Sequence, residues 1–150
     1  MAVVAALTGE PAQADVVDLL RGSEGPPRIA AVNLGEVFDV MVRVKSWRRG
    51  RVDLALSWLT AGGLDVVSTN ERIARTAGDL RSRCYDRTAC PVSLNDCVAL
   101  ATAQVLREPL ATADAALAAT AHLEGASLIP LPNSAGRRPP AATKPPAASP

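Results

Sequence analysis

Three carboxylic acids carry the chemistry open to this 150-residue chain. Glu36 stands in Asn33-Leu34-Gly35-Glu36-Val37, Asp96 in Ser93-Leu94-Asn95-Asp96-Cys97, and Asp114 in Leu110-Ala111-Thr112-Ala113-Asp114. They come from three separate stretches of a largely apolar sequence, with no His or Cys at zinc-ligand spacing beside them. Hard divalent cations take oxygen ligands and keep several waters, so such a set suits Mg2+ or Mn2+ rather than Zn2+.

Each acid also has a plainer use. Asn33-x-x-Glu36 and Ser93-x-x-Asp96 have the form of capping boxes, and Asp114 that of an N-cap; all three would favour the positive end of a helix. Topology argues for more. In an open parallel sheet, ligands bind beyond the carboxyl ends of the strands, and Glu36 and Asp114 each follow a predicted strand. Asp96 follows none, so spacing alone does not bring it to the same crevice.

The elements that must position these acids alternate between strand and helix. Residues 2–8 read as a short apolar helix stopped by Gly9 and Pro11, and residues 12–21 as a second helix with Ala14, Val17 and Leu20 on one side. Residues 28–32 form a strand, and Asn33 opens a helix to about Val44. A basic turn from Arg43 to Arg51 leads to a helix over 52–61, ended by Gly62-Gly63. Residues 64–67 form a strand, Thr69 or Asn70 caps the next helix, and a loop over 84–92 precedes the helix from Ser93. A strand at 109–112, a helix at 114–122 and a strand at 126–131 complete the pattern. Such alternation implies a mainly parallel sheet with helices on both faces, an α/β/α fold class.

Length and composition fit one domain with a core of Ala, Val and Leu, since aromatic residues make up only 3%. From Pro132 the chain turns Pro- and Ala-rich, so the division is a domain at 1–131 and a disordered tail at 132–150. Arg137, Arg138 and Lys144 lie in that tail, which leaves 13 basic against 15 acidic residues before it; nucleic-acid binding must therefore rest on a local patch. Arg43, Lys45, Trp47, Arg48, Arg49 and Arg51 supply one, with cations for phosphates and an indole for a base. The other reading of that patch is a solvated turn. Cys84, Cys90 and Cys97 match no zinc spacing and read as reduced thiols. Cys97 and Trp58 are expected in the core, and His122 on the surface near a helix end. No apolar run suffices for a membrane span, and no leader peptide follows Met1, so a soluble, cytoplasmic protein is expected.

The order Ala-Val-Asn-Leu-x-Glu-Val, Leu-x-Val-Val, Ser-Leu-x-Asp-x-x-Ala-Leu-Ala-Thr-Ala and Pro-Leu-x-Thr-Ala-Asp-x-x-Leu-Ala resembles the PIN-domain ribonucleases, and among them the VapC-type toxins of bacterial toxin–antitoxin pairs. The resemblance spans roughly residues 1–131. It implies a PIN-like α/β/α fold, Mg2+- or Mn2+-dependent endoribonuclease activity on an RNA substrate, and a cognate antitoxin as partner, with a homodimer left open. Glu36, Asp96 and Asp114 fall on three of that family's four metal-site acids, and Thr112 and Asn33 on their polar support. A metal so held would lower the pKa of a bound water and direct it at the phosphodiester. The fourth acid closes the family's first strand, which lies at the middle of the sheet. Here Met1-Ala2-Val3-Val4-Ala5-Ala6-Leu7 aligns with the helix after that strand, so the strand and its Asp are expected to be missing, through a start placed too late rather than decay. Their loss would leave two inner sheet edges unpaired. The alternative function is a non-catalytic remnant that binds an antitoxin or other protein through helices at 12–21 and 33–61. A generic phosphohydrolase on a doubly wound sheet is a third reading, with no phosphate loop or nucleophile motif to support it.

Overall fold

A computed structural model describes residues 2–22 and 25–140; the final ten residues, including Lys144, lie outside it, as do Met1 and the pair 23–24. The elements run α1 (Ala2–Thr8), α2 (Gln13–Arg21), β1 (Arg28–Ala30), α3 (Ala31–Asp39) continued by one π-turn (Val40–Val44), α4 (Arg49–Ala61), β2 (Asp65–Val67), α5 (Glu71–Cys84), α6 (Leu94–Leu106), β3 (Leu110–Thr112), α7 (Ala115–Leu123) and β4 (Leu128–Pro130). This is the expected alternation of strands and helices. None of the described helices is long and apolar enough to cross a membrane.

Parallel pairing is confirmed, but the sheet is in two pieces. β1 pairs with β2 from Arg28↔Asp65 to Ala30↔Val67, and β3 with β4 from Leu110↔Leu128 to Thr112↔Pro130. β1 and β3 are the inner strands, because both rest on α6 and Arg28 of β1 forms an ion pair with Glu108 just ahead of β3. Backbone groups alternate sides along a parallel strand. Asp65 N–H donates to Pro27 O, which turns the groups of Arg28 and Ala30 away from β2; Leu110 N–H donates to Ser127 O and Leu131 N–H to Thr112 O, which turns those of Ala111 away from β4. The inner edges thus carry unpaired positions on both halves.

Two helices hold the halves together. On one face α6 forms the main core, where Cys97, Leu100 and Ala101 are fully buried against Ala30, Ile73, Leu80, Leu110 and Leu117. On the other, α1 straddles both sheets. Val4 and Leu7 belong to a cluster with Ile29, Val37, Met41 and Val52, whereas Ala5 and Ala6 belong to one with Ala111, Ile129 and Leu131. Successive strand residues point to opposite faces, so Ala30 and Leu110 serve α6 while Ile29 and Ala111 serve α1.

Three local expectations need correction. Helix α3 begins two residues before Asn33, with Ala30 at its N-cap and no side-chain cap, so Asn33-x-x-Glu36 is not a capping box. The chain stays packed beyond Leu131: Asn133 Oδ1 accepts from the N–H groups of Ala135 and Arg137, Arg138 donates to Pro130 O and to the carboxylate of Asp15, and Pro139 is buried. The first part of the expected tail is therefore tied to the domain by a long-range ion pair and an Asx turn, and the rest of it lies outside the described residues. Finally, Trp58 is 71% exposed rather than in the core, since α4 turns its Val52 side inward.

Candidate functional site

The segments that carry the acids reach one end of the molecule through α6. Asn33 Nδ2 donates to Asn95 O at 3.0 Å, which fastens the first turn of α3 to the first turn of α6. The start of α3 is the carboxyl end of β1. At the far end of α6, Arg107 adopts a left-handed conformation and its N–H, with that of Glu108, closes onto Gln104 and Ala103, so the chain turns straight back into β3. α6 and β3 are consequently antiparallel, and the carboxyl end of β3 returns to the level of the α6 N-terminus. Glu36, Asp96 and Asp114 thus share the carboxyl end of the inner strands, where a parallel sheet offers its crevice. This is the placement of Asp96 that spacing could not supply.

Their individual settings differ. Asp96 forms a true capping box: its Oδ2 accepts from Ser93 N–H at 2.9 Å and from Ser93 Oγ at 2.6 Å, while Ser93 Oγ accepts from Asp96 N–H at 3.1 Å. Asp114 is the N-cap of α7, its Oδ1 accepting from Leu117 N–H at 2.7 Å. Thr112 is buried at the end of β3, and its Oγ1 accepts from the backbone N–H of Asp114 at 3.0 Å. Glu36 lies half-buried in α3 and has no hydrogen bond or ion pair among the described residues. The plain capping roles are real for Asp96 and Asp114 and absent for Glu36.

Donor chemistry and geometry point in different directions for a metal. The carboxylates are hard oxygen donors, and beside them Asn33 Oδ1 is buried without a partner, a cost that a donor or cation would relieve. Among the described residues, however, no three His, Cys, Asp or Glu side chains stand close enough together to hold a metal ion. In this conformation the acids do not fit one as a set. Thr69 Oγ1, just beyond the carboxyl end of β2, is likewise buried and unpartnered; of the two capping candidates Thr69 and Asn70 it is Asn70 that caps α5, and a place directly after a strand is the sequence signal that marks Thr69.

Neighbouring groups are unsuited to nucleophilic chemistry. Burial first, and then the adjacent Asp96 charge, push the Cys97 thiol to about 11, so it stays protonated at neutral pH. His122 sits in the last turn of α7 with Nε2 buried and unpartnered, rather than on the open surface.

The basic segment divides. Arg43 pairs with Asp39 at 2.7 Å and Lys45 with Glu10 at 2.8 Å, whereas Arg48, Arg49 and Arg51 form no ion pair among the described residues. Trp47 is half-buried and has the Arg51 guanidinium over its ring at 3.6 Å from the centroid, a cation–π contact.

With this arrangement in view, residues 2–123 match the PIN domain family. Among solved structures, a chain of a toxin-antitoxin complex from Klebsiella pneumoniae is similar over 75% of this chain and 81% of its own length, with 20% sequence identity and a TM-score of 0.52. No curated protein matches.

Proposed function

Since this chain belongs to the PIN-domain family, we propose that it is a toxin-type (VapC-like) endoribonuclease, dependent on Mg2+ or Mn2+ and restrained by a cognate antitoxin. The observation that carries the reading is the junction of α3 and α6 by Asn33, which supports a common site for Glu36 and Asp96, with Asp114 following β3 at the same end. Likeness to a chain of a toxin–antitoxin complex supports the toxin class and the antitoxin partner. RNA is the substrate this reading requires, with Arg48, Arg49 and Arg51 as the cations free to meet phosphates.

Within the chain, the residues have separable tasks. Asp96 and Asp114 each commit one carboxylate oxygen to a helix start and keep the other free, so capping orients them without consuming them. Asn33 positions Glu36 relative to Asp96, and Thr112 positions Asp114. Because these acids do not form a cage as they stand, uptake of Mg2+ or Mn2+ should be weak and RNA cleavage slow.

The second reading, a non-catalytic PIN domain that retains only protein binding, is favoured by that same lack of a cage. Calorimetry with Mn2+ and a cleavage assay on a labelled single-stranded RNA separate the two. The nuclease reading expects saturable Mn2+ uptake and Mn2+-stimulated cleavage, both lost in Glu36→Gln. Neither uptake nor cleavage at millimolar metal would leave the binding reading in its place.

A further inference from the structure

Two thiols lean on one face of α7. Cys84 is the last residue of α5, and its Sγ donates to Glu124 Oε1 at 3.8 Å. Cys90 Sγ lies 3.4 Å from Thr120 Oγ1. Thr120 spends its one hydroxyl proton on Ala116 O at 2.9 Å, so the Cys90 thiol is the donor in that contact. Thr120 and Glu124 stand at i and i+4, joined by the Glu124 N–H bond to Thr120 O. Side chains so spaced are neighbours, with Cβ atoms about 5–6 Å apart.

The backbone between the two cysteines closes in the same direction. Asp86 and Cys90 exchange both hydrogen bonds of an isolated antiparallel bridge, at 2.9 and 3.0 Å. Inside that turn the Asp86 carboxylate accepts from the N–H groups of Thr88 and Ala89 at 2.8 and 2.6 Å. Residues paired in this way have Cα atoms about 5.5 Å apart, so the bridge folds Cys90 back toward the end of α5. Both thiols are half-buried against the same core cluster. Cys97 is fully buried and offers an oxidant no approach. A soft metal ion is the poorer occupant, since among the described residues no three His, Cys, Asp or Glu side chains could hold one.

We propose that Cys84 and Cys90 form a reversible dithiol/disulfide pair, a modification site for a hydroperoxide, whose closure ties the end of α5 to the segment that delivers Ser93 and Asp96. Burial first, and then the Glu124 charge, push the Cys84 thiol above its ordinary value, which leaves the Cys90 sulfur to meet the oxidant first. Cys90 sulfur attacks the O–O bond, releases an alcohol (water, from hydrogen peroxide) and becomes a sulfenic acid. The Cys84 sulfur then attacks the Cys90 sulfur, and its proton passes to the Glu124 carboxylate it already faces. The sulfenic hydroxyl leaves and takes up a proton as water. Two thiols and one hydroperoxide thus yield one S–S bond, one water and one alcohol.

The test uses the full chain in chelator, so its outcome is independent of metal binding and of the nuclease reading. The protein is treated with hydrogen peroxide, its remaining thiols are alkylated, and tryptic peptides are weighed. Cleavage after Arg83, Arg87 and Arg107 separates Cys84 from Cys90, so the bond appears as Cys84–Arg87 joined to Thr88–Arg107. The joined species should form in the wild type and in Cys97→Ala, vanish in Cys84→Ser and Cys90→Ser, and revert with dithiothreitol. Glu124→Gln should slow its formation at least about tenfold while a sulfenic-acid trap on Cys90 still labels. The oxidised wild type should melt about 5 °C above the reduced protein. Circular dichroism reports whether each variant is folded, and the wild type alone suffices for the main result. No joined species, one that Cys97→Ala abolishes, one that forms only between chains, or a lowered melting temperature on closure each overturns the proposal.

Discussion

Helices α4 and α6 are both 13 residues long and both apolar around most of their circumference, yet α6 buries six residues and α4 only Val52. The difference lies in what surrounds them. α6 runs beneath the two inner strands and between α5 and α7, and its Ala99, Ala101 and Ala103 let those neighbours approach closely. α4 hangs at the rim, reached from one side by α1 and the π-turn. A helix apolar on all sides ordinarily implies enclosure; α6 obtains it from its own chain, and α4 presents the same pattern to its surroundings. The buried core and the exposed apolar surface thereby fall on different helices. Core substitutions in α6 should unfold the protein, and substitutions on the outer stripe of α4 should leave its fold alone.

Three substitutions probe that contrast. Leu100→Ala removes a fully buried side chain and should cost about 3 kcal/mol in urea unfolding, the transfer and cavity costs of a large-to-small change; a loss below about 1 kcal/mol would mean that the core relaxes around α6 and that the division is weaker than drawn. Ser93→Ala removes the capping box at the start of α6 and should cost about 1 kcal/mol by the same assay, while also freeing Asp96 from its serine. If Asp96 is a ligand, Mn2+ affinity changes along with stability; if it is only a cap, stability alone moves. Leu54→Ala, at the other extreme, should change stability by less than about 0.5 kcal/mol, and a drop comparable to that of Leu100→Ala would show the stripe to be core.

Much of this architecture was readable in the sequence, because short helices and strands were punctuated by residues with definite backbone effects. Gly62-Gly63, Asn70, Ser93 and Asp114 mark ends or starts where the sequence placed them, and the apolar pattern gave each intervening segment its type. What could not be read was long-range. Asn33 looked like the cap of its own helix, but Ala31 and Val32 extend α3 toward β1, and the amide is spent instead on Asn95, 62 residues away. Trp58 looked like core because large aromatics usually are; periodicity gave α4 two apolar sides without saying which the fold would cover. Arg138 looked like part of a solvated tail until Asp15 supplied its partner. The acids themselves are legible by type and position. Whether three carboxylates near one another converge is a matter of side-chain geometry that no spacing rule contains.

A sheet in two pieces also has consequences in time. Each half is held by a ladder of three residue pairs, and with no strand between them among the described residues the halves need not open together. Local unfolding follows cooperative units rather than the whole chain. Native-state amide exchange should therefore sort the strands by half: the amides of β2 paired to β1 form one set, those of β3 and β4 another, each with its own opening free energy. The α6 amides, which both halves cover, should exchange last. Arg28 and Glu108, joined across the amino ends of the inner strands, then act as a latch, and breaking that pair would separate the two openings further.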